Sequence, residues 1–197
     1  YVGIGKDITD ARRPTVIERK GWKLGFLAYF GGGDFAATPK RGGFAPRYAR
    51  YIVEDVQKLR KKADYVVVNF HWGVEYAEHP EDWQVTLAHR VIDAGADLII
   101  GHHPHILQGV ERYRGKYIAY SLGNFVFGGN TRHTYNTAVL KVTVTGEGPV
   151  VELVPVSVKM WRPTPSGDQE REDVLQMVRN RSSLFEETLS LPTGGQQ

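Results

Sequence analysis

Asp64-Tyr65-Val66-Val67-Val68-Asn69-Phe70-His71 and Ala96-Asp97-Leu98-Ile99-Ile100-Gly101-His102-His103-Pro104-His105 are two short apolar runs that each end in histidine. Both are nearly continuous in Val, Ile, Leu and Phe, the pattern of strands covered on both faces rather than of half-exposed strands that alternate. Between them, residues 80 to 94 read as a helix, and Gly95 stands where a left-handed C′ glycine belongs. Strand, helix and strand over residues 65 to 101 form a βαβ unit of the length a parallel crossover needs.

Working outward, Trp22 to Phe30 (WKLGFLAYF) reads as another buried strand, followed by the loop Gly31-Gly32-Gly33-Asp34. Pro46 is expected to open a helix running to about Lys62, with Ile52, Val56 and Leu59 on one face. Lys116 to Tyr120 and Phe125 to Phe127 read as further short strands. Thr137 to Thr145 and Val150 to Met160 alternate with period two around Gly146-Glu147-Gly148-Pro149, which predicts an antiparallel pair. Asp168 to Phe185 reads as a surface helix and Leu191 to Gln197 as a frayed tail. The expected fold class is α/β, a mixed parallel core with a C-terminal antiparallel pair.

Bulk properties narrow the function classes. Of the 197 residues, 41% are hydrophobic and 24% charged, the balance of a globular chain. No apolar run approaches the roughly 20 residues of a membrane-spanning helix. The net charge of +3 is too slight for a nucleic-acid footprint, and the basic run Lys58-Leu59-Arg60-Lys61-Lys62 suits a helix C-terminus. With no cysteine, thiolate metal sites and cysteine nucleophiles are excluded.

Sites in open α/β sheets form beyond the carboxyl ends of the strands. Four of the seven histidines, His71, His102, His103 and His105, lie at two such ends. If the strands are neighbours, about 4.8 Å apart, their terminal histidines can reach a common ion. His71, His103 and His105 are therefore the candidate metal ligands. His103 and His105 would diverge in an extended chain, so a bent loop around Pro104 is required for both to serve. His102 is read as a supporting or substrate-facing group. His79 and His89 are read as without a special role, and His133 is undecided. Glu75 could orient a ligand histidine, act in proton transfer or cap the segment that follows. Asn124, in the turn Tyr120-Ser121-Leu122-Gly123-Asn124-Phe125, could donate to a phosphate or carbonyl oxygen. Ser121 is not read as a nucleophile, because nothing like a nucleophile elbow surrounds it.

The segments His71-Trp72-Gly73-Val74-Glu75-Tyr76, Gly101-His102-His103-Pro104-His105 and Tyr120-Ser121-Leu122-Gly123-Asn124-Phe125-Val126-Phe127, in that order, resemble the CapA-type family of poly-γ-glutamate capsule biosynthesis. Ala94 to Ile100 and Gln108-Gly109-Val110-Glu111 look similar too. The resemblance implies a calcineurin-like metallophosphoesterase fold, an α+β sandwich, over residues 1–161, with 162–197 as the C-terminal helix and tail of the same domain. It implies two divalent ions, manganese, iron or zinc, with His71, His103 and His105 as ligands. Glu75, His102 and Asn124 would be the catalytic or supporting groups. The implied reaction is water attack on a phosphoester or amide, in the service of capsule formation at the cell surface.

The family's early motifs, an aspartate after the first strand, an Asn-Leu-Glu type segment and an Asn-Asn-His segment, are missing here. Gly33-Asp34 follows a later strand and is not read as their substitute. Tyr1-Val2-Gly3-Ile4-Gly5 therefore looks like a point midway through the family domain. The expectation is a C-terminal portion, inactive alone and prone to dimerise through exposed strand edges. Expected partners are an acidic polymer or phosphoester substrate and membrane synthase components, with no nucleic acid. The competing expectation is a non-catalytic component that binds the polymer or scaffolds a membrane synthase, which the modest basic excess, including Lys40-Arg41, would suit.

Overall fold

A computed structural model describes residues 1–126 and 136–191. Phe127, His133 and the tail beyond Leu191 lie outside the described residues. The chain forms a mixed α/β structure of two compact units, Tyr1–Trp72 with Glu81–Gly101, and Gly73–Pro80 with His102–Gln197.

In the first unit, β2 (Thr15–Arg19), β3 (Trp22–Tyr29), β5 (Tyr65–His71) and β6 (Leu98–His102) lie in the order β2-β3-β5-β6. β3 runs parallel to β5 and antiparallel to β2. The short β1 (Ile4–Gly5) and β4 (Gly43–Phe44) pair separately, and α1 (Ile8–Ala11) follows β1. Val66, Val68, Phe70 and Ile99 are buried, as their unbroken apolar runs require. α2 (Ala49–Arg60) buries Ile52, Val56 and Leu59 on one stripe. Each such side chain contributes roughly 1.5–3 kcal/mol by leaving water. Gly25 in β3 lets this helix approach closely, since a Cβ there would sit 2.8 Å from Leu59 and 2.9 Å from Ala63. Asp97 is buried just before β6, where its carboxylate accepts from the Val66 amide at 2.8 Å and pairs with Arg60.

Both long helices of this unit start later than expected. Pro46 forms a bridge to Phe30, and the Arg47 amide donates to the Phe30 carbonyl at 2.8 Å. Residues 46–48 thus stay extended, and α2 begins at Ala49. α3 (Asp82–Asp93) begins after Glu81, whose amide donates to the Gln84 side chain at 3.0 Å. This Glu-x-x-Gln capping arrangement overrides Pro80 as the first helical residue. Gly95 has φ +119°, the left-handed position anticipated for it.

In the second unit, β7 (Val110–Tyr113) and β8 (Lys116–Ala119) form a hairpin. β9 (Asn136–Thr145), β10 (Gly148–Lys159) and β11 (Arg162–Pro165) form an antiparallel sheet in the order β11-β10-β9, so the expected C-terminal pair gains a third strand. α4 (Asp168–Ser182) buries Val174, Leu175 and Val178 against Leu107, Val110, Ala119, Ala138 and Leu153. Phe125 and Val126 form no strand; both are exposed in a bend. Among the described residues no helix is long and apolar enough to cross a membrane.

Three two-residue hairpin turns have both central φ angles positive, the pattern whose twist matches that of the strands. Two of them, Lys20-Gly21 and Arg114-Gly115, place glycine second, where it is least strained. The β10–β11 turn instead uses Met160 (φ +50°) and Trp161 (φ +60°), and both are exposed. Replacing this pair with Asn-Gly (M160N/W161G) is expected to stabilise the protein by about 1 kcal/mol. The check is a higher urea midpoint with an unchanged slope.

A polar clamp ties α1 to α2. Arg12 forks onto Asp55 at 2.7 and 2.9 Å and reaches Glu54 at 2.8 Å, while Tyr29 Oη donates to Asp55 at 2.8 Å. Lys58 and then Arg12 hold the Glu54 carboxyl down to about 2. Because this folded pKa lies below the unfolded one, the Glu54 contribution is present above the usual carboxylate range and is lost as pH falls toward about 2. Arg12→Ala is expected to destabilise by about 2 kcal/mol near neutrality, chiefly by stranding the largely buried Asp55. In urea titrations at several pH values, the gap to wild type should narrow on acidification.

Candidate metal centre

The second unit gathers one cluster of metal-compatible donors. Ligand atoms of Glu75, His103 and His105 all lie within 4.8 Å of one another, the one such group among the described residues. Glu75 is exposed, and its Oε1 is 3.9 Å from His105 Nε2. Donors bound to one ion at about 2.0–2.2 Å stand some 3.3 Å apart in a tetrahedron, so a small side-chain adjustment would bring this pair to ligand spacing.

The convergence of His103 and His105 has a backbone cause. A straight chain would point their side chains to opposite faces. Here His103 has φ +107° and His105 φ +62°, with Pro104 between them, and the two rings end 6.0 Å apart. Positive φ in a residue with a Cβ is strained, by roughly 1–3 kcal/mol. The bent loop anticipated from the sequence is therefore present, and it is made by the histidines themselves.

Side-chain orientation is set by Asn124. Its Oδ1 lies 2.7 Å from His105 Nδ1. A carbonyl oxygen only accepts, so Nδ1 carries the proton and the lone pair falls on Nε2, the nitrogen facing Glu75. Asn124 is buried, next to Gly123 at φ +73°. Its strand-end turn is fixed by the Leu107–Leu122 bridge and by the Thr137 hydroxyl donating to the Leu122 carbonyl. Asn124 was read as a donor to substrate oxygen; in the structure its carbonyl oxygen holds a histidine, while the amide nitrogen keeps a donor's chemistry.

Two loops carry the cluster, residues 73–80 and 102–108, and several contacts join them. The Tyr76 amide donates to the Pro104 carbonyl at 2.9 Å. Gln108 Nε2 donates to the Ala77 carbonyl at 2.8 Å. Arg181, from the last turn of α4, donates to the Leu107 carbonyl and to Glu78, both at 2.6 Å. Gly109 admits that helix end, since a Cβ would lie 2.5 Å from the Arg181 carbonyl. Tyr76 has φ +61°, with its ring 6.3 Å from that of His105. Sequence reading singled out Tyr76 and Gln108-Gly109 only as parts of motifs, and passed over Arg181. No local pattern signals Arg181, which acts 74 positions away.

The remaining candidates are not members of this group. His71 closes β5 in the first unit, with its ring 4.9 Å from Phe30 and its carbonyl accepting from Arg47 at 3.1 Å. His102 ends β6, where desolvation by the surrounding protein lowers its pKa. His79 is exposed in the 73–80 loop, and His89 lies on α3.

Residues 1–129, which include Glu75, His103, His105 and Asn124, match the family described as "Bacterial capsule synthesis protein PGA_cap". The "PGA biosynthesis protein CapA" of Bacillus subtilis (strain 168) is 38% identical over 172 residues, covering 83% of this chain and 44% of the relative. The "Capsule biosynthesis protein CapA" of Bacillus anthracis is 36% identical over 173 residues, covering 84% of this chain and 42% of the relative. The chain thus spans less than half the length of these two relatives. From the family match and from identity at this level over most of its length, the chain belongs to the bacterial capsule synthesis protein family PGA_cap.

Proposed function

We propose that this chain is the metal-holding part of a capsule-polymer biosynthesis protein that hydrolyses a phosphoester or amide bond during formation of an acidic polymer, poly-γ-glutamate. The observation that carries the reading is the convergence of Glu75, His103 and His105 donor atoms within 4.8 Å, with His105 oriented by Asn124. One carboxylate and two neutral imidazoles suit zinc, iron or manganese, and three protein donors leave room for water or substrate.

When bound, a divalent ion would polarise the scissile oxygen and lower the pKa of water. The chain's own residues do the rest. Asn124 holds His105 in the tautomer that presents Nε2. The strained His103-Pro104-His105 loop fixes both rings before any ion arrives, which reduces the ordering penalty on binding. Glu75, being exposed, can ligate or take a proton from water. Three donors serve one ion; the second ion and the His71 ligand implied by the family resemblance would need donors beyond this cluster. A cell-surface location is part of the same proposal and is supported by the capsule role in the relatives' names.

Metal analysis of the intact protein is expected to find about one tightly held divalent ion at the cluster, lost in His103→Ala/His105→Ala together with hydrolysis of phosphodiester or γ-glutamyl amide substrates. Asn124→Ala should weaken metal affinity by about 10- to 100-fold while the fold persists. A wild-type protein that holds no metal after equilibration with zinc, iron or manganese would sink the reading and favour a polymer-binding scaffold.

The backbone strain gives an independent check. His103→Gly relieves φ +107° and should leave stability unchanged or raised by about 1 kcal/mol, although it abolishes metal retention. A large loss of thermal stability in that variant would show the histidine to be structural instead.

A further inference from the structure

The first unit carries a cleft whose lining differs in chemistry from the donor cluster. An open cleft of about 510 Å³ is lined by Arg47, Ala49, Trp83, Thr86, Leu87 and Arg90. Trp83, Thr86, Leu87 and Arg90 are spaced i, i+3, i+4, i+7, so they form one stripe along α3. Among the described residues its lining contains two guanidinium groups and no carboxylate.

Arg47 is built into place. Its guanidinium lies 4.4 Å above the Trp83 ring, and its Nη1 donates to the His71 carbonyl at 3.1 Å. The Trp83 indole is itself fixed, donating from Nε1 to Glu81 at 2.9 Å, and Glu81 is not among the lining residues. Arg47 is stacked and half-buried, and desolvation lowers its pKa against the opposing pull of the Glu81 carboxylate. A guanidinium has five N–H donors in a planar fork, and most of them remain for an oxyanion. The exposed indole of Trp83 supplies apolar surface beside the two cations, while Thr86 adds a hydroxyl.

We propose that the Arg47–Trp83–Arg90 cleft binds a carboxylate-bearing chain, its carboxylates on the two arginines and its methylene segments on Trp83. Assigning that chain as a γ-linked glutamate polymer rests on the capsule-polymer reading above. The cleft is a binding subsite and shares no residue with the Glu75–His103–His105 cluster, so the two can fail separately.

The test uses the intact protein with size-fractionated γ-glutamate oligomers, followed by calorimetry and tryptophan fluorescence. Polyphosphate serves as a carboxylate-free polyanion. Wild type should bind the oligomer with a change in emission that disappears in Trp83→Phe. Arg90→Glu, an exposed position that the fold tolerates, should weaken binding by about tenfold or more. Arg47→Lys, which keeps charge but loses the fork, should weaken it by a similar factor. His103→Ala/His105→Ala should retain the oligomer-induced change in emission that depends on Trp83. Unchanged affinity in Arg90→Glu, or polyphosphate bound as tightly as the oligomer, would overturn the cleft assignment. Oligomer binding lost in the histidine variant but retained in Arg90→Glu would also overturn it, leaving the metal proposal standing. Binding that depends on Arg90 in a protein that holds no metal would retain the cleft and remove the hydrolase.

Discussion

The metal-compatible cluster depends on Arg181. This arginine, with its side chain mostly buried, joins the carbonyl of Leu107 to the carboxylate of Glu78, and so locks together the loops that carry His103, His105 and Glu75. Loops left to themselves would wander, because fixing a residue's backbone costs about 1–2 kcal/mol. Hydrogen bonds to a charged group each contribute roughly 1.5–3 kcal/mol, enough to hold a few loop residues still. The hydrophobic face of α4 in turn fixes Arg181: Val174, Leu175 and Val178 bury the helix, and Ser182 receives the Val110 amide. A C-terminal helix whose charged face reads as ordinary surface is therefore the anchor of the donor geometry.

That dependence explains which features were legible in the sequence. β5 and β6 declared themselves because strands covered on both faces need continuous apolar residues, and the histidines following them stood out by position. β9 and β10 were equally plain in their alternation. β7 was missed, since Val110-Glu111-Arg112-Tyr113 looks polar; Glu111 is buried there because Tyr120 Oη donates to it at 2.7 Å. β1 and β4, two residues each, exist only through their mutual pairing. Likewise α2 starts late because Phe30 captures residues 46 and 47, a contact between segments that no local propensity encodes. For the cluster, residue types were readable and the supports were not: Gln108 reaches Ala77 across 31 positions and Arg181 reaches Glu78 across 103.

Backbone strain could be offered as the mark of function at His103 and His105, but the molecule contains its own control. Met160 and Trp161 also occupy the left-handed region, at a hairpin tip with no donor cluster among the described residues. There the tight two-residue connection of β10 to β11 favours positive φ, as it does at Lys20-Gly21 and Arg114-Gly115. No ladder imposes such angles on His103 and His105. Their conformation is held by the Tyr76–Pro104 hydrogen bond, the Asn124–His105 pair and the Arg181 bridge, all acting on polar groups. Strain at the hairpin follows from sheet geometry; strain at the histidines is sustained by contacts that also aim donor atoms at one point. Convergence and strain together, rather than strain alone, therefore separate a site from a tight turn.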